Sequence, residues 1–200
     1  ELELDVYFYT TAMDACAKGG KWRRALSLLD EMKEERGILP NVVTYGVAIA
    51  ACGNGGQWKK ALELLDQMRG DNLSINTITY NSAIAALSKA ARTESKMKPS
   101  SVSDASDDVD ALWQKALHLI QCMEKEGVKR DSFTYSSAIS ACGAAGRWEE
   151  ALHLIQSMKR EGGTRPNRVA YTSAITACAN SRYARNKSFT SFCLLRSFRH

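Results

Sequence analysis

Cysteine is the residue type in this sequence with the most versatile chemistry, because a thiolate can bind zinc, form a disulfide or act as a nucleophile. The 200-residue chain has 6 cysteines but no Cys-x-x-Cys pair, so their spacing does not favour a zinc site. Four of them occupy one equivalent position of a repeated segment, namely Cys16, Cys52, Cys142 and Cys178. A thiol that recurs on a small apolar helix face predicts core packing rather than chemistry.

Histidines and aspartates offer two further candidates for chemistry. His118 and His153 share one repeated position, and neither has a nucleophile or carboxylate partner implied nearby. The aspartates of one Ser-rich segment could hold Mg²⁺, but metal catalysis needs ligands on a rigid scaffold; they are Asp104, Asp107, Asp108 and Asp110. We therefore predict that the chain is not an enzyme and has no cofactor and no bound metal.

Two kinds of segment alternate along the chain and must position any functional residue. The first begins near a tyrosine, and the tyrosines follow at spacings of 36, 35, 55 and 36 residues: Tyr9, Tyr45, Tyr80, Tyr135 and Tyr171. The second begins at a tryptophan and carries a helical apolar stripe, for example Trp58, Ala61, Leu62, Leu65 and Met68. We expect the tryptophans to belong to the packed core. Gly-Gly pairs between the segments predict a tight turn.

Each unit is therefore a helix-turn-helix of about 35 residues, and stacking of neighbouring units is needed to bury the apolar stripes. The predicted fold class is all-α, a right-handed α-solenoid. The predicted boundaries are 5–41 for repeat 1, 42–76 for repeat 2, 77–131 for repeat 3, 132–167 for repeat 4, and 168–200 for a partial or divergent repeat 5 with a C-terminal tail.

Two regions depart from the pattern. Residues 93–112 are rich in Ser and Asp, and they are predicted to be a disordered surface insertion within repeat 3. After Asn180 the repeat signature stops, and the tail remains open to three interpretations: a divergent capping helix, a partial repeat, or a non-native end. The chain does not begin with Met, so we expect it to be a piece of a longer protein.

Composition limits the classes of partner. The net charge of +5 permits a polyanionic partner without requiring one. No apolar run is long enough to cross a bilayer, and the first residues lack a secretory signal, so no membrane association is expected. A mildly basic helical array is therefore compatible with binding to nucleic acid or to protein.

The segment 43–76, VTYGVAIAACGNGGQWKKALELLDQMRGDNLSIN, resembles a pentatricopeptide repeat of P-type arrays. The resemblance extends over residues 5–180, and the Pro-Asn closes at 40–41 and 166–167 fit it, whereas 74–76 and 129–131 lack the Pro. A Trp at the start of each second helix is a departure from the family. The tetratricopeptide repeat, a protein-binding scaffold, is the nearest alternative, but its W-x₂-L-G-x₂-Y signature is absent.

The resemblance implies that each repeat binds one RNA base. The residue after the Tyr and the last residue of the repeat would hydrogen-bond the base edge, and the implied pairs are Thr10 with Asn41, Gly46 with Asn76, Asn81 with Asp131, Ser136 with Asn167, and Thr172 without its partner. The residue two before the Tyr would sandwich the base, namely Tyr7, Val43, Ile78, Phe133 and Val169. The family's pairing rules then imply the sequence A-N-U-A, read 5′ to 3′, with weak selection at Gly46.

Basic residues near the inter-helix turns could neutralise phosphates or simply form a solvated face: Lys18, Lys21, Lys89, Arg92 and Arg147. The predicted function is sequence-selective binding of single-stranded RNA by a monomer. The resemblance implies organelle transcripts of a mitochondrion or chloroplast, a role in processing, stability, splicing, editing or translation, and other RNA-processing proteins as partners. Two alternatives remain: a tetratricopeptide-like scaffold, and the RNA-binding arm of an RNase P-like nuclease with its catalytic domain outside this chain.

Overall fold

The computed structural model describes residues 5–97, 106–161 and 165–181, and all regular structure in these ranges is helical. The helices are α1 (Val6–Lys18), α2 (Trp22–Asp30, extended by a π-helical turn Glu31–Glu35), α3 (Val42–Asn54), α4 (Trp58–Gly70), α5 (Thr77–Met97), α6 (Ser106–Lys125), α7 (Ser132–Ala144), α8 (Trp148–Arg160) and α9 (Arg168–Asn180). The chain divides within α5 into two compact units, Glu1–Ala86 and Leu87–His200.

In the first unit, α1 packs against α2 and α3, and α3 packs against α4. Small residues make this close packing possible, because Ala48 and Ala51 are buried on α3. Gly53 continues this face, and a Cβ atom added there would lie 3.2 Å from the Cβ of Ala86. Small residues therefore line the closely packed face of α3 in this unit.

In the second unit, α7 packs against α6, α8 and α9, and α8 packs against α9. Ala138 and Ala141 are buried on α7 at the positions equivalent to Ala48 and Ala51. Gly143 approaches α9 more closely still, since an added Cβ would lie 2.7 Å from the carbonyl oxygen of Ser173. Both units therefore use the same small-residue contact between successive first helices.

The second helices bury a different stripe from the one predicted. In α4 the buried residues are Ala61, Leu64, Leu65 and Met68, whereas Leu62 is half-buried. The offsets 3, 6, 7 and 10 from the tryptophan recur in α2, α6 and α8. Since these offsets follow the i, i+3, i+4, i+7 rule, the helix still presents one apolar face, rotated away from offset 4.

The prediction that the tryptophans form part of the core is wrong for three of the four. Trp22, Trp58 and Trp148 are half-buried, and only Trp113 is buried. Cations cover the rings of two of these half-buried tryptophans: the guanidinium of Arg23 lies 4.6 Å from the centroid of Trp22, and lysines lie over Trp22 and Trp58. The buried Trp113 also has a cation over its ring. A large indole at the first turn reaches the helix end, where solvent and basic side chains cover one face.

The inter-helix turns agree with the predicted glycine positions. Gly20, Gly56 and Gly146 have φ angles of 69°, 71° and 69°, in the left-handed region that favours glycine. Gly55 has an ordinary φ, but an added Cβ would lie 2.1 Å from the indole of Trp22. Glycine is therefore required at position 55 because a side chain would collide with Trp22, and not because of the backbone conformation.

Both ends of the predicted insertion 93–112 are helical rather than disordered. Helix α5 continues through 93–97 and α6 begins at Ser106, with Leu112 fully buried. Glu, Lys and Met in 93–97 have high helix propensity, so an existing helix extends through them at little cost. Residues 98–105 and the tail 182–200 lie outside the described residues, so their predicted character is untested.

The prediction of an all-helical array of helix-turn-helix units is confirmed for the described part of the chain. No helix there is both long and apolar enough to cross a membrane.

Candidate nucleic-acid interface

The predicted last residue of each repeat is the N-cap of the next first helix. The cap carbonyl or carboxylate oxygen Oδ1 accepts the backbone N–H three residues on, at 2.8 to 3.0 Å, for Asp5, Asn41, Asn76, Asp131 and Asn167. Short polar side chains are preferred there because they satisfy an N–H that has no partner within the helix. With Oδ1 directed to the helix, an Asn cap directs its Nδ2 donor away, and an Asp cap directs a second acceptor away.

The predicted base-sandwiching residues are exposed apolar side chains. Eight large hydrophobic residues are exposed in the described part of the chain, and five of them occupy this one repeated position: Tyr7 (78%), Val43 (61%), Ile78 (72%), Phe133 (55%) and Val169 (55%). Scattered exposed hydrophobic residues need no explanation, but exposure at the same position in every repeat indicates a surface with a shared use.

In the first unit, the two residues of each predicted base-recognition pair lie next to the same threonine. The hydroxyl oxygens of Thr10 and Thr44 lie 3.0 Å apart, and Thr44 Oγ1 donates to Asn41 Oδ1 at 3.1 Å. In the next repeat, a Cβ at Gly46 would lie 3.5 Å from Thr79 Oγ1, which donates to Asn76 Oδ1 at 3.0 Å. In both repeats the two predicted residues therefore lie near the N-terminus of the following first helix, α3 or α5.

In the second unit, one pair is in direct contact. Ser136 Oγ donates to Asn167 Oδ1 at 3.1 Å, and Asn167 Nδ2 donates to Ser132 Oγ at 3.3 Å. Thr172 is exposed, and its hydroxyl donates to the backbone carbonyl of Arg168. These contacts place the predicted residues of repeat 4 together.

Asn81 and Asp131 belong to different compact units, so their pairing stays a prediction. Asn81 is buried in the first unit, and Asp131 caps α7 in the second.

The predicted phosphate-binding residues have varied surroundings. Lys18 forms an ion pair with Asp14 at 2.6 Å, and the guanidinium of Arg147 lies 5.0 Å from the ring centroid of Trp113. Lys21, Lys89 and Arg92 are exposed. Their role towards phosphate stays a prediction.

Two features of this surface were not identified from the sequence. One is the threonine directly before the Tyr in three repeats, which the recurring Thr-Tyr dipeptide could have revealed; it is Thr44, Thr79 and Thr134. The other is a charged group at the buried hydroxyls of Tyr9, Tyr45 and Tyr80. For example, Lys33 donates to Tyr45, which donates to Asp71. Burial, reinforced by Asp71, raises the pKa of Tyr45, so this hydroxyl stays neutral and structural.

One histidine lies beside a thiol, since Nδ1 of His118 is 3.8 Å from Sγ of Cys122 one turn further along α6, which corrects the expectation that no nucleophile lies near it. Burial raises the pKa of Cys52 to about 11 and that of Cys142 to about 12, so both stay protonated thiols. His118 and His153 are exposed. No three potential metal ligands come together within the described residues, and Asp104 of the acidic cluster lies outside them.

Comparison of the sequence with protein families finds one family, the PPR repeat family, at residues 4–54, 40–89 and 130–180. A chloroplastic pentatricopeptide repeat-containing protein of Arabidopsis thaliana is 30% identical over 139 residues, which are 70% of this chain and 24% of that protein. The chain therefore spans about a quarter of the length of this relative.

Solved structures give the same assignment. The maize pentatricopeptide repeat protein PPR10, in complex with an 18-nt psaJ RNA element, superposes with a TM-score of 0.68 at 26% identity, covering 97% of this chain and 26% of PPR10. The PPR domain of Arabidopsis thaliana protein-only RNase P 1, in complex with tRNA, has a TM-score of 0.68 at 16% identity, covering 94% of this chain and 86% of that domain; it shows the fold alone. The predicted α-solenoid class is thus confirmed, and the matched segments cover more than half of the sequence: the chain belongs to the pentatricopeptide repeat family.

Proposed function

We propose that this chain binds single-stranded RNA with sequence selectivity, one base to each repeat, and acts by binding rather than by catalysis. The observation that carries the proposal is the repeated pairing of an exposed apolar side chain with a polar cap at the start of each first helix. A base has an apolar face and a polar edge, and the two parts of this surface match them.

The cap geometry supports a base assignment for each repeat. The outward Nδ2 of Asn41 is a donor, which suits N1 of adenine. Asn167 offers the N–H of its Nδ2 that is not donated to Ser132. The outward oxygen of Asp131 is an acceptor, which suits the N3–H of uracil. Together with the family's pairing rules, this supports A-N-U-A as the preferred sequence.

The relatives support the proposal and extend it. PPR10 is solved with an RNA element, and its identity of 26% is enough to make the same use of this surface a reasonable inference. The Arabidopsis relative is chloroplastic, which supports an organelle transcript as the target and leaves open the choice of mitochondrion or chloroplast. We further propose that the complete protein acts in processing, stability, splicing, editing or translation of such a transcript.

The direct test is a binding measurement with RNA that contains A-A-U-A between cytosine flanks. A mismatched base costs about 1–3 kcal/mol, so we expect the matched RNA to bind at least about tenfold more tightly than a scrambled RNA of equal composition. Isothermal titration calorimetry at one fixed salt concentration measures both. Affinity is expected to fall as salt rises, because phosphate contacts release counterions.

Equal affinity for the two RNAs would contradict the base assignment. Failure to bind any RNA, together with retention of a protein ligand that is insensitive to salt, would favour the tetratricopeptide-like scaffold instead.

Replacing Gly46 with Ser is expected to create selection for adenine at the second base. An added Cβ meets only Thr79 Oγ1, at 3.5 Å, so the side chain fits, and it would reproduce the Ser–Asn pair of repeat 4. We expect affinity for RNA with adenine at that position to rise about fivefold or more relative to Gly46→Ala. Gly46→Ala is the matched control, because it adds the same Cβ atom without a hydroxyl. An equal effect of both substitutions would show that residue 46 does not contact the base.

A further inference from the structure

We infer that the threonine before the Tyr is a positioning residue, which fixes the orientation of the cap amide and so decides which hydrogen-bonding group faces the base. This inference rests on the proposed function, since it concerns the base selectivity of the same surface. The residues in question are Thr44, Thr79 and Thr134, and all three are almost completely buried. A buried residue of this kind does not touch RNA and acts only through its neighbour.

Asn41 shows the arrangement most completely. Its Oδ1 accepts from the backbone N–H of Val43 at 2.9 Å, from the backbone N–H of Thr44 at 3.0 Å and from the hydroxyl of Thr44 at 3.1 Å. The backbone N–H of Asn41 in turn donates to Thr44 Oγ1 at 3.4 Å. Turning the amide by 180° would place its NH₂ group against these donors, so the orientation with Nδ2 outward is favoured.

We call this arrangement, in which the backbone N–H and the hydroxyl of one threonine both donate to the cap Oδ1, the clamp. It recurs at the next two junctions between repeats. Thr79 donates to Asn76 Oδ1 through its backbone N–H at 2.9 Å and its hydroxyl at 3.0 Å. Thr134 does so to Asp131 Oδ1 at 2.8 and 3.0 Å. For an Asn cap the threonine selects the donor that faces outward, whereas for an Asp cap it fixes the direction of the second acceptor.

The junction between repeats 4 and 5 lacks this threonine, because Ala170 stands at its position. Here the hydroxyl comes from Ser136, which donates to Asn167 Oδ1 at 3.1 Å. A residue that the proposal assigns to base recognition is thus also engaged in holding the cap. In repeat 4 the single hydroxyl of Ser136 therefore both holds the cap and serves as a proposed base contact. In repeat 1 these two roles belong to different residues, because Thr44 holds the cap and Thr10 is the proposed base contact.

The test is made at Thr79 in a protein that carries Gly46→Ser, because repeat 2 of the unmodified chain is expected to select its base only weakly. Thr79→Val keeps the shape of the side chain and removes the hydroxyl, whereas Thr79→Ser keeps the hydroxyl and serves as the control. Binding is measured with RNAs that carry A or U at the second base. Relative to Gly46→Ser alone, we expect the added Thr79→Val to lower the preference for A over U at the second base about threefold, and the added Thr79→Ser to leave it unchanged.

A measurement without RNA separates this inference from the proposed function. Nitrogen-15 relaxation of the Asn76 side-chain amide is expected to show greater mobility in Thr79→Val than in wild type or Thr79→Ser. Ala170→Thr should have the opposite effect on Asn167 and sharpen selection at the fourth base. Unchanged amide mobility in Thr79→Val, or equal loss of affinity for A and U, overturns the positioning role. A mobile amide in a protein that shows no base preference at any position supports the clamp and instead contradicts the proposed base recognition.

Discussion

Asp131→Asn is expected to change the preference at the third base from uracil to cytosine. The cap position directs one group of residue 131 to the helix and the other outward, and the substitution replaces an outward acceptor with an outward donor. Uracil presents N3–H, which needs an acceptor, whereas cytosine presents a bare N3, which needs a donor. Asn81, which the family resemblance pairs with residue 131, is unchanged, so selection for a pyrimidine should persist.

The expected effect is large because one hydrogen bond is lost and another is gained. A well-matched contact contributes about 1–3 kcal/mol of discrimination, so the ratio of the two dissociation constants should change about tenfold or more. The fold should be preserved, since Asn and Asp are equally good N-caps and the bonds from Thr134 can remain. The ratio is the required measurement, because removal of a negative charge raises affinity for every RNA.

Asp131→Ala is the control that removes both functions of the residue. It should lose base selection and also destabilise α7 by about 0.5–2 kcal/mol, because the cap is lost. A variant Asp131→Asn that keeps its preference for uracil would show that residue 131 is a structural cap only.

Features set by local spacing could be predicted from the sequence. The turn glycines were identified correctly because a left-handed φ is accessible to few other residues, and Gly20, Gly56 and Gly146 all adopt it. The small residues of the first helices were also identified, since Ala48 and Ala138 are buried where successive first helices meet. These properties depend on a few consecutive residues and are visible in a single sequence.

Features set by neighbouring helices could not be predicted in the same way. The apolar residues at offsets 4 and 6 of the second helix are equally hydrophobic, and only the direction of the adjacent helices decides that Leu64 is buried and Leu62 is not. The partial exposure of Trp22, Trp58 and Trp148 was missed for the same reason, because it depends on where the neighbouring helices lie. The role of Thr79 was missed because its hydroxyl acts through another side chain, and a hydrogen bond of that kind leaves little trace in composition.

The proposed RNA-binding surface was predicted through family resemblance, and the structure shows the helix caps and exposed side chains that support the proposal. The resemblance supplied the positions, whereas the caps at Asn41 and Asn167 explain why these residues present one chosen atom outward. A residue that must cap a helix is confined to a few short polar types. Under the proposed function, the same restriction limits the base contacts that a repeat can offer, so we expect one side chain to affect both the stability of the array and its base selectivity.

Gly143→Ala is expected to be the most destabilising methyl addition at the glycines that lie within the described helices. The added Cβ would lie 2.7 Å from the carbonyl oxygen of Ser173, and a backbone atom cannot move aside as a side chain can. Helix α9 must therefore shift. Overpacking of this kind costs about 1–3 kcal/mol, which exceeds the gain of up to about 1 kcal/mol in helix propensity from Gly to Ala.

Two other helical glycines provide a matched series. Gly53→Ala places its Cβ 3.2 Å from the Cβ of Ala86, a contact that small adjustments can relieve, and Gly70→Ala meets nothing within 4 Å. The free energy of unfolding, measured by urea denaturation, should therefore fall most for Gly143→Ala, change less for Gly53→Ala, and stay equal or rise by up to about 1 kcal/mol for Gly70→Ala. Another order would mean that successive first helices are less closely packed than these distances indicate.

The substitution at Gly143 should also affect binding, because α7 and α9 carry the two residues of one proposed base site. Ser136 on α7 and Asn167 at the start of α9 are joined by a hydrogen bond of 3.1 Å, and a shift of α9 by a few tenths of an ångström is enough to weaken it. We expect Gly143→Ala to reduce selection at the fourth base while selection at the first base, which depends on Thr10 and Asn41, is retained. Equal loss at both bases would indicate global unfolding, and circular dichroism at the temperature of the binding assay distinguishes the two results.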